Sequence, residues 1–238
     1  MAKLVLVCCI ILLCPGLSWA QTGEYTAEVN FFSRLTETFK VPGKPAEEFV
    51  YNNSPLVLKL GFEVAENWSV EGRILYARLL INGSVENNTV GHLFDFEWSA
   101  GWHPIQQVRV YGGYTYSRLE RDLEFGRRTF NAVTTENGPL FGIGVTANHH
   151  SPWIARSNID LYPYLSVHDT FHPEANGFRR GNFGYRVEAA VGRKISDHIG
   201  LYFTGGYQMI STLEGEDTAS GRHESNLKTA GVGFAFNF

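Results

Sequence analysis

Apolar residues alternate with small or polar residues along most of the chain, and the C-terminal segment shows the pattern most clearly. A period of two places the two sets of positions on opposite faces of a β-strand. One face of this last segment is wholly apolar, and it consists of Ala230, Val232, Phe234, Phe236 and Phe238. The other face holds only small and uncharged polar residues. The pattern therefore predicts strands that present one apolar face and one small or polar face.

Ten segments of the chain alternate in this way. They cover residues 23–36, 55–65, 69–81, 90–102, 107–118, 139–148, 155–167, 183–195, 199–210 and 226–238. Most of them reach the about 9–11 residues that a tilted strand needs to cross a bilayer. The sequence therefore predicts an all-β fold, a closed antiparallel up-and-down transmembrane β-barrel of about ten strands, with eight and twelve strands as alternatives.

The connections between these segments alternate in length. The longer ones cover residues 37–54, 82–89, 119–138, 168–182 and 211–225, and short turns lie at 66–68, 103–106, 149–154 and 196–198. In a barrel built from hairpins, all the longer connections lie at one end and all the short turns at the other. Trp68, Trp102 and Trp153 lie beside short turns, which predicts an aromatic belt at that end. Candidates for a belt at the opposite end are Tyr76, Tyr116 and Tyr207.

The charged residues of the segments fall almost entirely on one phase. A lysine or arginine that faces lipid at the bilayer midplane costs about 2–4 kcal/mol, so we expect this phase to face the lumen. The predicted lumen network is Glu28, Lys59, Glu63, Glu71, Arg73, Asp95, Glu97, Arg109, Arg156, Asp160, Arg186 and Glu188. Barrels of about eight strands are filled by their own side chains. We therefore expect opposite charges to pair and to plug most of a polar lumen. Neutralising Arg109 and Glu97 together should then barely alter the conductance.

The other phase of the segments is apolar and is predicted to face lipid. In the fourth segment this phase includes Phe94, Phe96 and Trp98. In the seventh segment it consists of Ile159, Leu161, Pro163, Leu165 and Val167.

The N-terminus has the features of a cleaved signal peptide. Lys3 precedes an apolar run over residues 4–13, and small residues precede a predicted cleavage after Ala20, which leaves a single domain at 21–238. The three cysteines of the chain, Cys8, Cys9 and Cys14, all lie within residues 1–20, so we expect no thiol chemistry and no cysteine-ligated metal. The formal net charge of −4, without a basic block, argues against nucleic-acid binding. No motif for a cofactor or a metal is recognised, and neither is predicted.

The terminal phenylalanines resemble the closing strand of bacterial outer-membrane β-barrels. In that class the C-terminal aromatic residue is the sorting signal that the barrel-assembly machinery reads, and here Phe234, Phe236 and Phe238 match it. The resemblance implies an integral, multi-pass protein of a Gram-negative-type outer membrane, reached after Sec-type export. It also implies outer-membrane lipid, lipopolysaccharide and the assembly machinery as partners, and it leaves the oligomeric state open. A soluble periplasmic ligand-binding barrel is an alternative, because its charged phase faces water and its apolar phase faces a cavity.

Two sequences invite an enzymatic interpretation. His168 and Asp169 follow the seventh segment, and a barrel of ten strands with a His–Asp pair at its rim resembles the omptin proteases in layout. Omptins also need a facing aspartate pair, whereas the corresponding loop here offers only Glu86. His149-His150-Ser151 resembles the His-x-Ser of lipid A deacylases, but Pro152 and Trp153 replace the residues that follow in that family.

We therefore predict a non-enzymatic outer-membrane role in envelope structure, surface interaction or narrow-specificity, porin-like passage. The alternative is an outer-membrane enzyme, either an omptin-like protease or a lipid A-modifying hydrolase, with His168 and Asp169 as the candidate catalytic residues.

Overall fold

A computed structural model describes residues 25–40, 47–51, 55–81, 89–125, 128–147, 152–172, 177–212 and 224–237. These residues form strands only: β1 (Tyr25–Lys40), β2 (Glu47–Tyr51), β3 (Leu56–Ala65), β4 (Trp68–Ile81), β5 (Thr89–Ile105), β6 (Val108–Phe125), β7 (Arg128–Ala147), β8 (Trp153–His172), β9 (Gly177–Lys194), β10 (Ile199–Thr212) and β11 (Glu224–Asn237). In these parts of the chain no helix is both long enough and apolar enough to cross a bilayer.

The strands form one closed antiparallel barrel. Each strand pairs with its neighbour in the chain, and β11 pairs with β1 to close the wall. Both β2 and β3 pair with β1 on one side and with β4 on the other, so together they occupy a single strand position of the wall, here called a stave. The described strands thus give ten staves, and the predicted all-β, up-and-down barrel is confirmed.

The two ends of the barrel differ in their connections. At one end, called the turn end, the connections are residues 66–67, 106–107, 148–152 and 195–198. At the other, called the loop end, they are 41–46, 82–88, 126–127, 173–176 and 213–223. At the turn end Asn67 has a φ of 63°, a left-handed conformation that asparagine tolerates better than most residues do.

Several strands run much farther toward the loop end than the sequence predicted. The predicted connection at 119–138 is wrong, because β6 and β7 continue through it and leave only 126–127 between them. The predicted connections at 168–182 and 37–54 are likewise shortened by β8, β9 and β2. These extensions are rich in charged and polar residues, so their sequence lacks the sustained alternation that marks a strand. Their backbone groups nevertheless pair across the ladder.

The outward face of the barrel carries many exposed apolar side chains. Its exposed large side chains include Phe62, Phe96, Trp98, Ile143, Val191 and Phe203. Trp68, Trp102 and Trp153 lie on this face at the turn end, each about half exposed, and Trp68 pairs directly with Trp102 across β4 and β5. At the opposite border the Tyr76 hydroxyl lies 3.1 Å from Nδ1 of His92. The outward apolar face predicted from the alternation is therefore present.

One stretch of β8 departs from its predicted phase. The alternation predicts Leu165 and Val167 on the outward face, but they are buried inside, with 2% and 0% of their surface exposed. The register of β8 against β9 shifts between Tyr162 and Leu165, and that of β7 against β8 shifts between Asn137 and Phe141. Both shifts come from one extra residue in β8, because β7 stays in regular register with β6 through the same stretch. Pro163 lies at this bulge and lacks the N–H that a regular ladder needs. The bulge reverses the in–out phase of β8 beyond it.

Candidate functional site in the barrel lumen

The guanidinium of Arg186, on β9, is the centre of the lumen. It forms a bidentate pair with the Glu97 carboxylate, with both N···O distances at 2.8 Å, and Nε donates to Oδ2 of Asp160 at 2.8 Å. The three side chains are 8%, 8% and 2% exposed. A planar guanidinium matches carboxylates in this forked geometry. Three separate strands, β9, β5 and β8, are thereby linked across the interior.

A second layer of charge lies against this centre. Arg73 is 3.4 Å from a Glu97 oxygen and 3.6 Å from a Glu188 oxygen, and Lys59 donates to Glu188 at 2.8 Å. Glu188 also lies 3.6 Å from Nε of Arg186. The carboxylates therefore alternate with the cations, which offsets the desolvation that each buried charge would otherwise suffer.

Tyrosines complete the network, and the sequence analysis did not assign them to it. The Tyr111 hydroxyl donates to Asp160, and the Tyr162 hydroxyl donates to Glu97 at 3.2 Å. The Arg109 guanidinium lies 4.5 Å from the ring centroid of Tyr111, and that of Arg186 lies 5.8 Å from the ring of Tyr162. The sequence could have shown this, because Tyr111 lies two positions after Arg109 and Tyr162 lies two positions after Asp160. Residues two positions apart share one face of a strand.

Toward the turn end, two further pairs line the lumen. Arg156 holds the Glu28 carboxylate in a bidentate pair, and its guanidinium lies 4.4 Å from the Tyr202 ring centroid. Arg109 lies 3.0 Å from Glu71 and donates to the hydroxyls of Ser69 at 2.9 Å and Ser99 at 3.0 Å.

Arg109 and Glu97 have different partners in the lumen. Glu97 forms an ion pair with Arg186, whose guanidinium reaches it from the opposite wall, and Arg109 forms an ion pair with Glu71 of β4. The cause is the position of each strand in the closed barrel. Interior residues face distant strands as well as hydrogen-bonded neighbours, and Arg186 and Glu97 are far apart in the chain.

Two predicted members of the lumen set stand apart from the ion pairs. Glu63 is exposed close to the turn end of β3. Asp95 is half-buried, and its Oδ1 atom has no hydrogen-bond partner. The structure brings together the other ten: Glu28, Lys59, Glu71, Arg73, Glu97, Arg109, Arg156, Asp160, Arg186 and Glu188.

Buried apolar side chains lie in the interior on the loop-end side of the ion pairs. One cluster consists of Val57, Leu75 and Ala77, each at most 1% exposed, with Leu93, Leu119 and Leu227 packed against it. A second consists of Leu140, Tyr162 and Leu165, with Ile210 against it. Tyr162 belongs to both the apolar packing and the ionic network. The lumen is therefore stratified into an ionic layer and an apolar layer.

On the turn-end side of the ion pairs the lumen contains a cavity of about 140 Å³. Three cationic side chains, Lys59, Arg109 and Arg156, and two anionic side chains, Glu28 and Glu71, line this turn-end cavity. His103 and neighbouring amide and hydroxyl groups complete the lining. It lies between the ionic layer and the turns at 66–67 and 106–107.

The candidate catalytic residues lie near the loop end. His168 and Asp169 are consecutive residues of β8. The backbone carbonyl of His168 accepts from the Thr135 hydroxyl at 3.3 Å, and Nδ1 of His168 is buried without a hydrogen-bond partner. Glu86 and His149-His150-Ser151 lie outside the described residues.

The remaining sequence candidates concern sorting and metals. Phe234, on the closing strand, points outward and is 36% exposed, Phe236 is half-buried, and Phe238 lies outside the described residues. In the parts of the chain that the structure describes, no three histidine, cysteine, aspartate or glutamate side chains are grouped to hold a metal ion.

This closed wall, with an apolar outside and a charged inside, defines the chain's fold class as the outer-membrane type of β-barrel. Among solved structures, it is similar to the outer membrane protease OmpT from Escherichia coli, with a TM-score of 0.67 and 11% identity over 90% of this chain and 97% of that one. It is also similar to the translocator domain of the autotransporter NalP from Neisseria meningitidis, with a TM-score of 0.53 and 12% identity over 100% of this chain and 96% of that one. For the β domain of the Bordetella autotransporter BrkA, the TM-score is 0.50 and the identity is 12%, over 92% of this chain and 100% of that one.

At these identities the likeness establishes the fold alone. No protein-family model matches the chain, and no curated protein sequence does.

Proposed function

We propose that the chain is an integral outer-membrane protein whose lumen is closed to diffusion and whose role is structural or is carried by its loop end. The observation that carries the closure is the Arg186 centre, where Glu97 and Asp160 from two other strands hold one guanidinium across the interior. The apolar clusters beyond it support the same conclusion, because a hydrated path would have to pass both layers.

The outward surface supports insertion into a bilayer. Soluble monomers rarely expose contiguous apolar patches above a few hundred Å², whereas here exposed large hydrophobic residues occur on nearly every stave. Tryptophans border this surface at the turn end, as at a membrane–water interface. A soluble ligand-binding barrel would have the opposite arrangement, with an apolar interior and a charged exterior.

In this role, outer-membrane lipid and lipopolysaccharide are the surroundings of the wall. Residues 1–20 supply the export signal, and the phenylalanines of the last strand supply the sorting signal for the barrel-assembly machinery. The turn end then faces the periplasm and the loop end faces outward.

A planar-bilayer recording tests the closure. The refolded protein is first shown to be inserted, by heat-modifiable migration on an SDS gel and by flotation with liposomes. We then expect no large stepwise conductance from the unmodified chain. We expect the same from the double variant Glu97→Gln with Arg186→Gln, which removes charge while keeping most of the side-chain volume. Large regular steps from the unmodified, inserted protein would refute a closed lumen.

A further inference from the structure

We propose that the turn-end cavity is a binding site for a small oxyanion, either a carboxylate or a phosphate, that enters from the turn end. Its volume of about 140 Å³ equals the space of roughly four or five water molecules. That space admits a small anion and excludes a folded segment or a large solute.

The lining of the cavity is rich in hydrogen-bond donors. An ammonium group has three N–H donors and a guanidinium has five, and neither accepts. Lys59 gives one donor to Glu188, and Arg156 gives two to Glu28. Their side chains keep 23% and 24% of their surface exposed, so both cations are only partly enclosed by the protein. An oxyanion is the ligand that such groups recognise.

The carboxylates of the lining are unequal competitors for these donors. Glu28 is 12% exposed and is held by both outer nitrogens of Arg156. Glu71 is 46% exposed and lies 3.0 Å from one nitrogen of Arg109. Because Glu71 is the more loosely held, an entering anion competes mainly with Glu71 for Arg109.

The far side of the cavity is blocked by the ionic and apolar layers already described. An anion that enters from the turn end therefore binds and leaves the same way. This makes the cavity a receptor-like site in place of a conduction path, and binding does not depend on whether the barrel conducts.

The experiment is a calorimetric titration of the refolded barrel in detergent with phosphate or with acetate at constant ionic strength, and with chloride as the reference. We expect saturable binding of phosphate, acetate or both, and none of chloride. Binding of one alone identifies the ligand class, and binding of both supports the shared oxyanion chemistry. Absence of both, or an equal response to chloride, would overturn the proposal.

Variants test the location of the site. Lys59→Met removes a lining cation while leaving Glu188 its contacts with Arg73 and Arg186, and we expect binding to weaken about tenfold, the value of one charge-assisted hydrogen bond. Glu71→Gln removes the exposed competitor, and we expect binding to tighten. Arg193→Gln is the matched control, because Arg193 is exposed and stacks outside the barrel, 6.0 Å from the Trp153 ring.

All variants are first checked for heat-modifiable migration, which reports the folded barrel. If Glu71→Gln folds and does not tighten binding, or if Arg193→Gln weakens binding as much as Lys59→Met does, the site is not this cavity. A silent bilayer recording combined with no anion binding would leave the proposed function intact and overturn this inference alone.

Discussion

Glu97 is the residue on which the interior depends most. It accepts both outer nitrogens of Arg186, accepts from the Tyr162 hydroxyl and lies near Arg73. A buried ion pair contributes little to stability relative to a well-packed apolar pair, but removing one partner leaves the other as an uncompensated buried charge. The network therefore makes the barrel sensitive to single substitutions in its centre.

We expect Glu97→Gln to lower the free energy of unfolding by about 3 kcal/mol, because the charges of Arg186 and Arg73 lose their shared carboxylate. Glu120→Gln is the matched control. It removes the partner of an exposed arginine, Arg118, and such surface pairs contribute about 0–1 kcal/mol. Urea unfolding in lipid vesicles, followed by tryptophan fluorescence, measures both. Equal losses in the two variants would show that burial of the network has no energetic consequence.

At the scale of the strand, alternation was sufficient to predict which face points outward, and it failed where both faces are alike. The phase of β5 and β10 follows the sequence because large apolar residues lie on the outward side, whereas the inward side carries mostly small, polar or charged residues. The extensions of β6 and β7 carry no such contrast, so the sequence predicts a connection there. In β8 the bulge after Tyr162 reversed the phase of Leu165 and Val167, and a period of two cannot show such a reversal.

The charges of the lumen could be assigned by the same phase, but their partners could not. Which arginine meets which carboxylate depends on the diameter and stagger of the closed wall. Arg186 and Glu97 meet across the interior, and only closure of the whole barrel brings them together. The tyrosines were missed for a related reason, because tyrosine occurs at both the aromatic belts and the interior.

The outward face of β10 offers a test at this scale. Phe203 is 68% exposed and lies midway between Ile199 at the turn end and Tyr207 nearer the loop end. We expect Phe203→Arg to cost about 2–4 kcal/mol in vesicles, whereas Ile199→Arg near the interface costs about 0–1 kcal/mol. The same unfolding assay compares them. If the two costs are equal in vesicles, the apolar face does not meet lipid.

At the scale of the whole molecule, the two ends of the barrel have different characters. The turn end holds the tryptophan belt and the polar cavity, and the loop end holds the strand extensions and the 213–223 connection. An even number of staves puts both ends of the described chain on the turn side. In the proposed membrane orientation, the two ends therefore face different compartments.

Cysteine labelling tests that orientation without background, since residues 21–238 contain no cysteine. We expect Glu216→Cys, in the 213–223 connection, to react with a membrane-impermeant maleimide on intact cells. Glu66→Cys, in a turn-end connection, should react only after the cells are opened. Both start from glutamate, so the pair is matched in the charge removed. The reverse pattern would place the loop end in the periplasm.

In the proposed orientation, the long strands β6 to β9 also determine which antibodies would bind the loop end. Residues 119–125 and 128–138, which resemble a flexible charged loop in sequence, are hydrogen-bonded into the wall. An antibody raised against a synthetic peptide from this stretch would recognise the conformation of a free chain, which differs from that of the hydrogen-bonded strands. If the loop end faces outward as proposed, we expect epitopes here to be conformational, so that serum raised against the refolded barrel binds intact cells.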